Sequence, residues 1–136
     1  MKHLLLLVLM SFGFMFSNAQ SNEIFVNPLI FEFYPETKVE IMLKENLEEI
    51  IFWNAIYDFG YEIKSISKSE KELVKNYQEV EIKDFNKINI LGMNLFPMKG
   101  KNQSFKIKDT NKLLTLFSEE IIRKRLTENQ NQNYKK

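Results

Sequence analysis

The sequence predicts an α+β domain: a mainly antiparallel β-sheet with one main helix, at about residues 47–58, packed on one face, and a short C-terminal helix. Two observations favour this class. Several short segments alternate apolar and polar residues with the period of two that is typical of strands. One longer segment instead carries apolar residues at helical spacing between helix start and stop signals. Short strands around one helix indicate a sheet covered on one face.

The first two elements are predicted to be strands that form a hairpin. Residues 29–34 are aromatic and branched, as in strands, and residues 35–37 contain a proline and provide the turn. Residues 38–44 carry an apolar side chain at every second position, which is typical of a half-buried strand.

The main helix is the clearest element. Asn46 is a candidate N-cap, and Glu49 lies three residues later, where its carboxylate can reach back to the cap. Apolar residues then recur at helical spacing through residues 47–58, and Gly60 provides the stop signal. The segment at 67–76 is charged and is predicted to be a loop or a short surface helix. Further strands are predicted at residues 61–66, 78–83, 88–96 and 104–108.

The C-terminal part admits two interpretations. Residues 113–126 suit one amphipathic helix; alternatively, residues 109–112 form a hairpin turn, 113–117 a strand, and only 119–126 a helix. Aspartate and asparagine within the four turn residues favour the second interpretation, because both side chains hydrogen-bond locally in turns. We therefore predict a hairpin followed by a short helix.

The N-terminal residues carry the pattern of a secretory signal peptide. Lys2 and His3 form a positive start, residues 4–16 form an apolar core, and small residues occupy 17–19. This core is too short to span a bilayer comfortably, which argues against the alternative of a retained membrane anchor. The chain then divides into a signal peptide (1–19), a single α+β domain (20–126) and a disordered polar tail (127–136). The predicted location is periplasmic or extracellular, with no transmembrane segment after cleavage.

Composition excludes most familiar catalytic mechanisms. The chain has no cysteine, and its one histidine, His3, lies in the predicted signal peptide. The mature protein would therefore lack the imidazole and thiol groups most used as bases, nucleophiles and transition-metal ligands. The acidic residues do not have the spacing of a calcium loop, so neither a metal site nor a cofactor is predicted. A non-enzymatic protein is favoured.

The enzyme class that remains is a carboxylate-dependent hydrolase acting on a polysaccharide, because paired carboxylates need no histidine. No motif distinguishes any acid for this role. The acids available for it are Glu48, Glu49, Asp58, Glu62, Asp84 and Asp109.

Charge is unevenly distributed along the chain. Residues 20–96 contain 8 lysines and 14 acids, a balance of −6, whereas residues 97–136 contain 10 basic and 4 acidic residues, a balance of +6. Either the basic part meets an anionic partner, or the two parts neutralise each other within one fold. A nucleic-acid partner is not predicted, since the chain has two arginines and no recognised binding motif.

Two groups of residues are candidates for partner binding. Aromatic residues of the main helix include neighbours about 100° apart, so one ring of such a pair can remain exposed as an anchor, unless a wide sheet buries both. Lysines around a predicted loop and strand offer a basic surface, or simply a solubilising one. The candidates are Phe52, Trp53, Tyr57, Lys99, Lys101, Lys106 and Lys108. The predicted function is a small exported binding or accessory protein that contacts another envelope or extracellular protein or an anionic glycan.

Overall fold

The computed structural model describes residues 24–133, so the predicted signal peptide lies outside the described residues. This range contains helices α1 (Pro28–Phe33), α2 (Glu36–Glu45), α3 (Leu47–Phe59) and α4 (Glu119–Asn133). It also contains strands β1 (Tyr61–Ser65), β2 (Glu79–Val80), β3 (Gln103–Ile107) and β4 (Lys112–Leu116). The α+β class is confirmed.

The strands form one mixed sheet in the order β1-β4-β3-β2. β4 is central and runs antiparallel to both β1 and β3, and Leu114 lies opposite Ile63 on one side and Phe105 on the other. β2 adds only two residues, paired in parallel with β3. Two of the three strand pairs are therefore antiparallel.

The predicted opening hairpin is wrong, because both of its strands are helices. Pro28 occupies the first turn of α1, where a missing N–H costs nothing, and the Asn27 side chain caps the helix by accepting from the Leu29 N–H at 3.0 Å. In α2, Val39 and Met42 are buried three residues apart, while Ile41 is 50 % exposed. The buried positions follow the helical period, although the apolar residues of this segment also alternate as in a strand.

The predicted main helix is present as α3. Its capping differs from the expectation, because the Asn46 side-chain amide donates to the Glu49 carboxylate at 3.0 Å and makes no bond to a backbone group. Gly60 follows the last helical residue with φ −83° and ψ −9°, and its N–H donates to the Ile56 carbonyl.

The strand predicted at residues 78–83 is present only in part, and the strand predicted at residues 88–96 is wrong. Of residues 78–83, only Glu79–Val80 pair as a strand. Residues 88–96 contain a turn at 90–94 between irregular residues, and Ile90 and Leu91 in this turn are adjacent in sequence and both fully buried. A strand places neighbouring side chains on opposite faces, so burial of both on one core requires the turn conformation.

The hairpin interpretation of the C-terminal part is confirmed. Asp109 adopts φ 58° in the turn between β3 and β4, and the Ser118 hydroxyl accepts from Ile121 N–H at the start of α4. The expected end of the helix near residue 126 differs from the structure, in which α4 continues through Asn133. Residues 127–133, predicted as tail, are thus helical; the Thr127 hydroxyl donates to the Arg123 carbonyl within this helix.

The main hydrophobic core lies between the helices and one face of the sheet. Ile56 of α3, Leu114 and Leu116 of β4, and Ile122 of α4 are fully buried in it. A second, small cluster lies on the opposite sheet face and consists of Ile66, Val74 and Leu113. None of the helices between residues 24 and 133 combines the length and the apolarity needed to span a bilayer.

Candidate functional site

The two adjacent aromatic residues of α3 are both buried, Phe52 at 9 % and Trp53 at 8 % exposure. The Arg123 guanidinium of α4 covers the Phe52 ring at 4.5 Å from its centroid. Tyr34 and Phe96 pack against Trp53, with ring centroids 6.5 and 5.9 Å away. Of the two alternatives that the sequence left open, an exposed anchor or burial of both rings, the structure shows burial, because α3 is covered on several sides.

Tyr57 belongs to a structural network. Its hydroxyl donates to the Asn89 side-chain oxygen at 2.8 Å, and the Asn89 amide donates to Glu32 at 3.2 Å. Burial is the main cause that raises the pKa of Tyr57 to about 12. The hydroxyl therefore holds the 87–95 segment against α3, and the contact leaves little of this group for a partner.

The four candidate lysines form two separate pairs. Lys99 and Lys101 are exposed in the loop before β3, whereas Lys106 and Lys108 lie at the other end of that strand. The length of β3 between them is about 13 Å at 3.3 Å per residue. The structure therefore does not bring the four lysines into one surface.

Lys106 instead joins two lysines from the segment between β1 and β2. They surround a pocket with a volume of about 410 Å³ on the sheet face opposite the main core. We call it the lysine pocket; its lining residues are Ile66, Lys71, Glu72, Val74, Lys75, Lys106, Thr110 and Asn111.

A turn after β1 positions the segment that carries two of these lysines. The Glu70 carboxylate accepts from the Ser67 N–H at 3.0 Å, from the Ser67 hydroxyl at 2.7 Å and from the Lys64 ammonium at 3.0 Å. The segment then crosses the sheet face, and Val74 packs into the small cluster with Ile66 and Leu113. This apolar contact sets the position of Lys71 and Lys75 on either side of it.

The β3–β4 hairpin forms the opposite wall of the lysine pocket. The Thr110 hydroxyl donates to the Ile107 carbonyl at 2.8 Å and accepts from the Lys112 N–H at 3.2 Å, which fixes the turn. The Asn111 side-chain amide donates to the Ile66 carbonyl at 3.0 Å, and the Ile66 N–H donates to the Asn111 carbonyl. The wall is therefore tied to the end of β1 by two bonds.

The lysine pocket carries a net positive charge. Its lining has three ammonium groups and one carboxylate, Glu72, which lies 3.9 Å from Lys75 with both side chains largely exposed. Such an exposed pair is weak and is readily exchanged for another anion. Lys106 also contacts Glu79 at 3.3 Å. The pocket can accept an acidic group, with Ile66 and Val74 as an apolar floor.

The sequence alone did not single out Lys71, Lys75, Thr110 or Asn111. Their signal was weak: two lysines four residues apart in a charged segment, and two polar residues that read as turn formers. The contact across the sheet that brings them together involves residues about thirty to forty positions apart in the chain.

The carboxylates offer less support for hydrolysis. Glu48 and Glu49 line a pocket of about 200 Å³ with Arg123, but Glu49 already accepts from the Asn46 amide and from the Trp53 indole N–H. Hydrogen bonds lower the pKa of three other carboxyls, Glu32, Glu70 and Glu120, so these three lack the raised pKa that a general acid near neutral pH needs. Within residues 24–133, no group of three acidic or imidazole side chains is arranged to hold a metal ion.

The Glu70 turn leads to a testable titration. The pKa of Glu70 is lowered to about 2. The largest cause is the hydrogen bond from the Ser67 N–H, followed by those from the Ser67 hydroxyl and the Lys64 ammonium. We expect its carboxyl signal in NMR to titrate near pH 2. Because the folded pKa lies below the ordinary carboxyl value of 4.5, the turn contributes stability above pH 4.5, and this stability is lost as pH falls through about 2. Ser67→Ala removes the hydroxyl donor and is expected to raise the pKa of Glu70. A wild-type midpoint near 4.5 would contradict the turn geometry.

The chain was compared with known proteins at the level of family, sequence and fold. No protein-family model, no curated protein and no solved structure matches it.

Proposed function

We propose that this chain is a small exported, non-enzymatic binding protein of the periplasm or extracellular space, and that its lysine pocket binds an acidic polysaccharide. One observation carries the proposal: three lysines from two chain segments surround one pocket with an apolar floor. The signal-peptide pattern of residues 1–19 supports export.

The chemistry of the lining suits an acidic sugar. Ile66 and Val74, each 5 % exposed, close the floor of the pocket with apolar groups beneath the ring. The Asn111 amide uses one hydrogen on the Ile66 carbonyl and has a second one to donate to a sugar oxygen. The ammonium groups of Lys71, Lys75 and Lys106 provide the charge for a carboxylate on that ring. The volume of about 410 Å³ lies within the range of small-ligand sites.

The test is binding to a defined acidic polymer. Purified protein is titrated by calorimetry with a polyuronate, with neutral dextran as the comparison polymer. We expect binding to the polyuronate that weakens with added salt, since exposed charges are screened. The variant Lys71→Glu/Lys75→Glu is expected to bind at least about tenfold more weakly, a loss of about 1.4 kcal/mol or more.

A matched control separates the pocket from general charge. Lys99→Glu/Lys101→Glu makes the same change in net charge at the other end of β3 and is expected to bind within about twofold of wild type. Equal losses in the two double variants would refute the pocket as the site. Absence of polyuronate binding at low salt, or equal binding of dextran, would refute the acidic polysaccharide as ligand.

A further inference from the structure

The first strand of the sheet has an open edge. Within the described range, β1 pairs only with β4. Gly60 O accepts from Phe117 N, and Ile66 N donates to Asn111 O, so alternate residues 60, 62, 64 and 66 direct their backbone groups toward β4. The N–H and C=O groups of the residues between them, Tyr61, Ile63 and Ser65, therefore point outward.

The segment after β1 leaves this edge uncovered. It turns at Ser67–Glu70 and crosses the sheet face, where Lys71 and Lys75 reach the lysine pocket beside Lys106. The segment therefore runs away from the outer edge of β1. Open strand edges are templates for pairing with another strand, and proteins usually protect them with charges or cover them.

The charges on β1 match those of a second copy of the same strand. In an antiparallel pair of two β1 strands related by a twofold axis at Ile63, Tyr61 lies opposite the other copy's Ser65, and Glu62 lies opposite its Lys64. The three outward-pointing residues then form hydrogen-bonded pairs, each exchanging two backbone bonds. Glu62 and Lys64 form the close, non-hydrogen-bonded pairs, in which opposite charges are stabilising.

Neighbouring registers are disfavoured by the same charges. A shift of the axis to Glu62 places two glutamates opposite each other, and a shift to Lys64 places two lysines opposite each other. Like charges directly opposite on a sheet are destabilising. We therefore propose that the protein forms a twofold dimer through its β1 edges, in the register centred on Ile63, which joins the two sheets into one of eight strands.

Lys64 can serve both contacts. Its ammonium group already donates to Glu70 at 3.0 Å within its own chain. An ammonium has three donor hydrogens, so a second carboxylate, the other copy's Glu62, can be accepted without breaking the first pair. The shared edge is only five residues long. So short an edge makes a small interface, which is typical of weak and transient association, and we expect a dissociation constant on the order of 10–100 µM.

The test is sedimentation velocity at concentrations on both sides of that value. Glu62→Lys places lysine opposite Lys64 and is expected to weaken the dimer at least about tenfold. The double variant Glu62→Lys/Lys64→Glu restores opposite charges and should restore the dimer. An equimolar mixture of Glu62→Lys and Lys64→Glu chains should form a heterodimer, although each chain alone is monomeric.

Controls keep these outcomes interpretable. The three positions changed, 48, 62 and 64, are all exposed, and each variant is checked for wild-type far-UV circular dichroism and thermal midpoint. Glu48→Lys makes the same charge change at the start of α3 and should leave the dimer intact. A wild-type monomer at all concentrations, a dimer insensitive to Glu62→Lys, or failure of the double variant to recover would each overturn the proposal. Concentration-dependent amide protection at Tyr61, Ile63 and Ser65 would support it.

The dimer also has a consequence for polymer binding. This consequence rests on the proposed function of the lysine pocket, whereas the dimer itself does not. The twofold axis of such a pair runs perpendicular to the sheet, so the faces that carry the lysine pocket lie on the same side in both copies. A long acidic polymer would then contact two pockets at once, which increases its apparent affinity. Compared with Glu48→Lys, which makes the same charge change and keeps the dimer, Glu62→Lys should bind the polymer more weakly and a single acidic sugar equally well.

Discussion

Leu114→Ala is expected to cost about 3 kcal/mol of unfolding free energy, within the range of about 2–5 for such truncations. Leu114 is fully buried at the centre of the sheet, opposite Ile63 on β1 and Phe105 on β3. Neighbours on both sides are fixed by strand pairing, so the cavity cannot collapse easily. Chemical denaturation measures the change, and the thermal midpoint should fall by roughly 3–5 °C per kcal/mol for a chain of this length.

Leu73→Ala is the matched control for this change. Leu73 is 74 % exposed in the segment that crosses the sheet, so its truncation removes little buried surface. We expect a change within about 0.5 kcal/mol. Comparable losses in the two leucine variants would show that Leu114 is not in the main core.

Gly60→Ala is expected to cost about 2–3 kcal/mol, as overpacking does at a rigid site. A Cβ at this position would lie 2.6 Å from the Ile56 Cα and 2.7 Å from its carbonyl oxygen. Gly60 cannot move away, because its N–H donates to Ile56 and its carbonyl accepts from Phe117 at 2.8 Å. Chemical denaturation of the Gly60→Ala variant measures this loss of stability.

Gly100→Ala separates steric from conformational effects. Gly100 has φ +77°, but no atom lies within 4 Å of the position its Cβ would take. The cost is then limited to the left-handed backbone, about 1 kcal/mol. If Gly100→Ala destabilised the protein more than Gly60→Ala, the close approach of Gly60 to Ile56 would be wrong.

The end of α3 at Gly60 was predicted correctly, but the structure shows a different reason for a glycine at this position. The sequence places the end of α3 at this glycine as a C-terminal stop. In the structure its backbone is in the right-handed region, which any residue adopts. Glycine is required by the tight passage from α3 into β1, a contact that cannot be deduced from the sequence pattern.

The candidate site was predictable only in part. Lys106 was identified because it faces away from Phe105 and Ile107, and the structure buries those two residues in the main core. Its partners Lys71 and Lys75 lie in a segment with no regular period, whose position depends on Val74 packing against Leu113. Of the two alternatives for Phe52 and Trp53, the structure shows burial of both rings, because α4 and the turn near Phe96 cover α3 on sides that the helix period alone would leave open.

The sequence by itself determined the α+β class, the helix at α3, the strands β1, β3 and β4, and the hairpin before α4. Most of these elements have a clear period, and at β4, where a helix also fitted the apolar pattern, the turn preference of residues 109–112 favoured the hairpin. Tertiary structure decided the helical state of Pro28–Phe33 and Glu36–Glu45, the turn at 90–94 and the lysine pocket. In those segments the apolar residues fit both the strand and the helix period. Burial against distant neighbours decides which structure forms, as it does for Val39 and Met42, which both lie in the main core.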